Sequence, residues 1–129
     1  MSNPQPILVR YKEEDPIKSD RWELYRSITF QTLAGQVTVP AGYTTDFASV
    51  PVLLWGFFPP IGRHNRATIL HDYWYDNRLF EAEFGSTLAR KMADVELYER
   101  LKAVEPHKPI RNYLMYRACR LFGRSWWVH

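Results

Sequence analysis

Apolar residues alternate with polar ones in the first third of the chain, then recur every three or four positions through its second half. Trp22-Glu23-Leu24-Tyr25 alternates, Ile28-Thr29-Phe30-Gln31-Thr32 is rich in β-branched and aromatic residues, and Gln36-Val37-Thr38-Val39 alternates again after Leu33-Ala34-Gly35. A period of two on either side of a short Gly-containing link predicts a β-hairpin with one more strand before it. Pro40-Ala41-Gly42 ends the last strand. Residues 1–20 hold three of the nine prolines and a mixed charge cluster from Lys12 to Asp15, so an extended arm or short edge strand is expected there.

From Tyr43 to Gly62 the chain is apolar but interrupted by Pro51, Gly56, Pro59 and Pro60. Such breaks rule out a long helix and predict an ordered connection with at most a short helical turn. Beyond it the period lengthens. Arg66 to Asn77 fits a first helix capped by Asn65, and Ser86 is the expected cap of a second running to about Ala103. Pro106 and Pro109 separate that helix from a third, about Ile110 to Phe122, closed by Gly123. Strands first and helices after is the α+β pattern: an N-terminal antiparallel hairpin or small sheet followed by about three helices. The expected organisation is a single domain over 1–129, with an arm (1–20), strands (21–40), an ordered loop (41–64) and a helical layer (65–129).

Composition narrows the class. With 129 residues, 46% apolar and 24% charged, the chain can bury one core. The 16% aromatic share favours a cleft or interface besides that core, because Trp and Tyr carry polar tips that need partners. One cysteine, Cys119, permits no intramolecular disulfide; beside Ala118 and Leu121 it reads as buried filler. No signal peptide or membrane-length apolar run is evident, which predicts a protein of a reducing cytoplasm or of an assembly built there. The net charge of +3 is uneven: Lys108, Arg111, Arg117, Arg120 and Arg124 follow Glu105 with no further acid. That run suits contact with phosphates of nucleic acid or lipid, or a solvated helix face.

The candidate chemistry lies in His71-Asp72-Tyr73-Trp74-Tyr75 and in Arg90-Lys91-Met92-Ala93-Asp94. His71 and Tyr75 are four apart and share a helical face, while Asp72 points about 100° away. On the first helix Ala67, Leu70, Tyr73 and Trp74 form the apolar stripe with His71 at its margin; on the second, Ala89, Ala93, Leu97, Leu101 and Val104 form the stripe with Asp94 at its margin. Antiparallel packing through these stripes brings His71 to Asp94, where the carboxylate holds the imidazole tautomer and favours its charged form. The same contact also serves as a plain tie between helices, and Arg90, one turn from Asp94, offers an ion pair. Asp72 reads as a solvated acid or a ligand for a hard cation such as calcium. Asp46, in a stretch otherwise uncharged from Arg26 to Arg63, is either a second ligand or a turn cap. Arg90, Arg117, Arg120 and Trp126 are the expected binding residues, and Trp126-Trp127 either docks back on the domain or meets another chain.

Two resemblances follow from these residues. Thr45-Asp46-Phe47-Ala48-Ser49-Val50-Pro51, His71-Asp72-x-x-Tyr75 and Arg90-x-x-Ala93-Asp94, with the closing Gly123-x-x-Trp126, resemble an uncharacterised family of proteins of tailed phages and prophages. That resemblance implies a viral setting and a phage or host protein as partner. His-Asp-x-x-Tyr followed by a helical Asp is also similar to the catalytic helix pair of phospholipase A₂ enzymes. It implies His71 as base, Asp94 as its orienting acid, Tyr75 as support, Asp72 as calcium ligand, and a lipid or small ester as substrate. The flanking cysteines and Gly-rich calcium loop of those enzymes are missing here. The expected function is therefore a phage accessory or virion-associated protein acting through protein contacts, with a calcium-assisted His–Asp hydrolase as the alternative.

Overall fold

The computed structural model describes residues 9–12, 21–45 and 65–127, and the chain divides into two compact units, 1–46 and 47–129. Asp46 and most of the expected loop lie outside the described residues.

In the first unit, β1 (Val9–Lys12), β2 (Arg21–Leu24) and β5 (Thr44–Thr45) form one antiparallel sheet in the order β1-β2-β5, while β3 (Ile28–Thr32) and β4 (Gly35–Val39) form the hairpin. Its register explains the alternation: Ile28 faces Val39 and Phe30 faces Val37, all buried, while Thr29–Thr38 and Gln31–Gln36 pair on the exposed side. The Thr29 and Thr38 hydroxyls lie 2.9 Å apart, and Gln31 Nε2 donates to Gln36 Oε1 at 3.1 Å. Such cross-strand pairs contribute roughly 0.2–1 kcal/mol each. Thr32 Oγ1 accepts from the Ala34 and Gly35 amides at 3.1 Å, closing the two-residue link.

Of the arm or short edge strand expected in residues 1–20, Val9–Lys12 is the edge strand, paired with β2 from Val9↔Leu24 to Lys12↔Arg21. Thr44–Thr45 is likewise strand rather than loop. It is set by a turn at residues 40–43, where Tyr43 N donates to Pro40 O at 3.2 Å and Gly42 takes φ +89, a conformation open to glycine. Gly42 N then reaches Leu24 O and Leu24 N reaches Tyr43 O, so pairing with β2 is a consequence of the turn. A two-residue strand carries too little pattern to be read beforehand.

In the second unit, α1 (Asn65–Asn77), α3 (Ser86–Val104) and α4 (Pro109–Phe122) are the expected long helices; α2 (Glu81–Phe84) and α5 (Arg124–Trp127) are short additions. α3 packs against both α1 and α4, and α5 touches α1 and α4. Ala67, Leu97, Leu101, Met115 and Cys119 make one core cluster across the three long helices. Ala89 and Ala93 are buried on α3, the small side chains that a close helix approach requires. Asn112 Nδ2 donates to Leu101 O at 3.3 Å and Glu105 O at 2.9 Å, satisfying carbonyls at the end of α3.

Local chemistry explains the breaks. α1 ends in a Schellman-type closure, Leu79 N to Trp74 O at 3.1 Å and Arg78 N to Tyr75 O at 3.3 Å, with Arg78 at φ +46 where glycine is usual. Gly85, not Ser86, takes the N-cap position of α3; Ser86 is the first helical residue, and its hydroxyl accepts the Trp127 indole N–H at 2.8 Å. The same N–H lies 3.0 Å from Glu81 Oε2, which ties α5 to α2 and to the start of α3. Asp72 corrects the expectation of a solvated acid: it is 3% exposed, because α1 is covered well beyond its single apolar stripe, with residues 67–72, 74 and 75 all buried.

Candidate functional site

His71 and Tyr75 project from one face of α1 onto Asp94 of α3. His71 Nε2 lies 2.7 Å from Asp94 Oδ1, and the Tyr75 hydroxyl donates to that same oxygen at 2.7 Å. Their rings lie against each other, centroids 4.4 Å apart. The other oxygen belongs to α4: Arg120 donates to Asp94 Oδ2 at 2.8 Å, and Arg90 stands 3.6 Å from it. Arg90 does most of its bonding elsewhere, to the Tyr75 hydroxyl at 3.2 Å and to the carbonyls of Cys119 (3.1 Å) and Arg120 (3.3 Å). It therefore adds donors to carbonyls in the last turn of α4, where its positive charge meets the negative end of the helix dipole. One carboxylate thus joins three helices.

Gly123 closes the cluster from above. A Cβ there would stand 2.5 Å from Cys119 O and 2.7 Å from the Tyr75 hydroxyl, so only glycine permits this approach. Trp127 meets the Tyr75 ring edge-on at 5.2 Å. His71 and Asp94 are 1% and 0% exposed, and Tyr75 and Cys119 are equally covered.

The electrostatics follow from this enclosure. Burial alone would lower the His71 pKa, but the acidic groups beside it, Cys119 and Asp94, outweigh that and raise it to about 10. Burial likewise opposes a charged Asp94, yet the hydrogen bond and charge of His71, with bonds from Tyr75 and Arg120, hold the carboxyl below its ordinary value. Burial and the Asp94 charge push the Tyr75 phenol well above its usual range, so it stays a neutral donor. At neutral pH the cluster is an imidazolium–carboxylate pair framed by two guanidiniums.

That state limits the chemistry available. In its charged form His71 is a proton donor, and it can take a proton only after giving up its own. The nitrogen of His71, a carboxylate oxygen of Asp94 and the Cys119 sulfur lie within 4.8 Å of one another, a donor set that suits a zinc-like ion. Two guanidiniums at Asp94 oppose a cation there, and both carboxylate oxygens already accept hydrogen bonds. The same spacing sets the sulfur beside the His71–Asp94 bond. A nucleophile–base–acid relay needs thiol and carboxylate on opposite ring nitrogens, which would hold them further apart.

The structure thus joins His71, Tyr75, Arg90, Asp94 and Arg120, but not the full expected site. Asp72 is buried on α1, and Asp46 lies outside the described residues. Arg117 and Trp126 are exposed, away from the carboxylate that Arg120 holds, while the neighbouring Trp127 docks inward. Sequence reasoning missed Cys119, Gly123 and Arg120 as members of the cluster. For Arg120 a signal existed: a buried carboxylate needs cations, and the last helix carries an excess of them. For Gly123 the local signal is a helix stop, and nothing nearby in sequence marks it as the space that Tyr75 requires.

Comparison with known proteins adds one family. No curated protein and no solved structure matches the chain. A family model described as "Protein of unknown function (DUF1353)" matches residues 22–119, a span from β2 to Cys119 that contains His71, Tyr75, Arg90 and Asp94. The chain belongs to the DUF1353 family.

Proposed function

We propose that this protein works through protein–protein contacts, as an accessory or virion-associated protein of a tailed phage or prophage, and that it docks its partner on the outward face of α4 and α5. The exposed side of α4 carries the argument. Its buried side, Asn112, Met115 and Cys119, already meets the core, yet Ile110, Leu121 and Leu114 remain 76%, 63% and 52% exposed on the other. A helix apolar on both sides is ordinarily covered on both. Tyr113, Phe122 and Trp126 are exposed on the same two helices, with Arg117 and Arg124, and no acid follows Glu105. Aromatic residues and arginine without acids are the composition of interface centres. The Asp94 cluster fits this reading as the anchor that holds α4 rigid. The phage setting rests on the motif resemblance.

Photo-crosslinking tests it. A crosslinking residue at Leu114, in cells producing the parent phage or prophage, should capture a defined protein, and one at the exposed polar Lys91 should not. Equal capture from both positions, or none, ends the proposal.

One observation favours a second reading, a calcium-assisted hydrolase: His71 and Tyr75 both bond Asp94 as the phospholipase A₂ resemblance implies. On that reading His71→Ala abolishes hydrolysis of a lipid or ester panel and Asp94→Asn weakens it. Folded wild-type protein that stays inert with calcium across esters, lipids and phosphodiesters removes it.

A further inference from the structure

The outward residues of α4 are not scattered. Ile110, Leu114, Arg117 and Leu121 are spaced by four, three and four, and Arg124 follows three later at the start of α5. Gly123 between them is itself helical, at φ −74 and ψ −15, so the row continues with little break. A four–three–four–three spacing is the seam of a coiled coil, positions d, a, d, a, d. All five residues are exposed, along a row about 20 Å long at helical rise. The geometry points to this row as a docking seam for one helix of a different protein, apolar along its own seam and carrying a carboxylate opposite Arg117; the inference rests on the protein-contact reading above.

Charge and symmetry select that occupant. A parallel two-fold pairing of two copies sets Arg117 and Arg124 each against itself, while an antiparallel one, whose reversed spacing matches only off-centre, sets Arg117 against Leu114 or Leu121 and covers its charge with no acid to meet it. Like charges at a seam, or one covered charge left unpaired, oppose association, which disfavours a second copy. A lipid surface fits no better. An interfacial helix keeps its cations on the polar face, whereas here burying the aliphatic row would carry Arg117 beneath the headgroups with it. A protein helix can place an Asp or Glu at that one point, where a charge-assisted, bidentate bond fixes register as well as partner.

Three synthetic three-heptad helices with leucine seams, differing only in a central seam residue (Glu, Gln or Lys), would be titrated against the full chain by fluorescence anisotropy. The Glu probe should bind roughly tenfold tighter than the Gln probe and the Lys probe weakest. Arg117→Glu should reverse that order, and Leu114→Glu with Leu121→Glu should abolish all binding while the melting temperature holds. Equal affinity for the three probes, still lost on Leu114→Glu with Leu121→Glu, overturns the acidic partner but leaves the docking face standing. No binding, or binding indifferent to those leucines, overturns the seam itself. A dimer in sedimentation that Leu114→Glu dissolves makes the occupant a second copy. Preference for phosphatidylglycerol vesicles, unchanged by Arg117→Glu, makes it a lipid surface. Either result overturns the inference.

Discussion

Replacing Asp94 with Asn tests the central cluster with almost no change in volume. The amide leaves His71 and Arg120 without their anion, and its NH₂ group must face donors already in place: the imidazole and hydroxyl at Oδ1 or the guanidiniums at Oδ2. Breaking a buried ion pair by removing one partner costs about 3–5 kcal/mol. At about 4 °C per kcal/mol for a domain of this size, the melting temperature should fall by about 12–20 °C. Circular dichroism melts across pH add a second reading. His71 in the folded state is raised to about 10, against about 6.5 unfolded. Its contribution is therefore complete below about pH 6.5, declines as pH rises, and is gone above about 10. Wild type should lose stability through that window and Asp94→Asn should lose much less of it. A fall of under about 3 °C, or the same pH slope in both proteins, would show that the cluster does not hold the helices together.

Gly123→Ala should destabilise by roughly 1–3 kcal/mol although its backbone suits alanine, because the new methyl meets Cys119 O and the Tyr75 hydroxyl. Adding Tyr75→Phe should recover part of that loss in a double-mutant urea cycle; strict additivity would deny the contact. Trp127→Phe should lower stability by about 1–2 kcal/mol by removing the indole N–H from Ser86 and Glu81, and an unchanged urea midpoint would contradict that tie. Cys119, 0% exposed, should react with a thiol reagent only as fast as the native protein opens. Full labelling within the mixing time would refute its burial.

Much of the architecture was already written in local pattern. Alternation defined the β3–β4 hairpin because period two assigns a face to each residue, and Ile28, Phe30, Val37 and Val39 did go to the same side. Helical spacing placed His71 and Tyr75 on one face and Asp94 at the facing margin, which was enough to predict their contact 23 residues apart. Features that depend on a distant partner could not be read this way. Thr44–Thr45 became a strand through the turn at Gly42, and the Ser86 hydroxyl met Trp127, 41 residues away. A helical wheel sees one stripe and points Asp72 away from it, toward water or a hard cation, while the packed α1 is covered on several sides. The largest change came at the candidate site. Sequence brought together a base and its orienting acid; tertiary packing added Arg120, Arg90 and Cys119 and closed them off from solvent. Burial and neighbouring charge, which no linear spacing encodes, set the charge state of that pair and joined three helices through it.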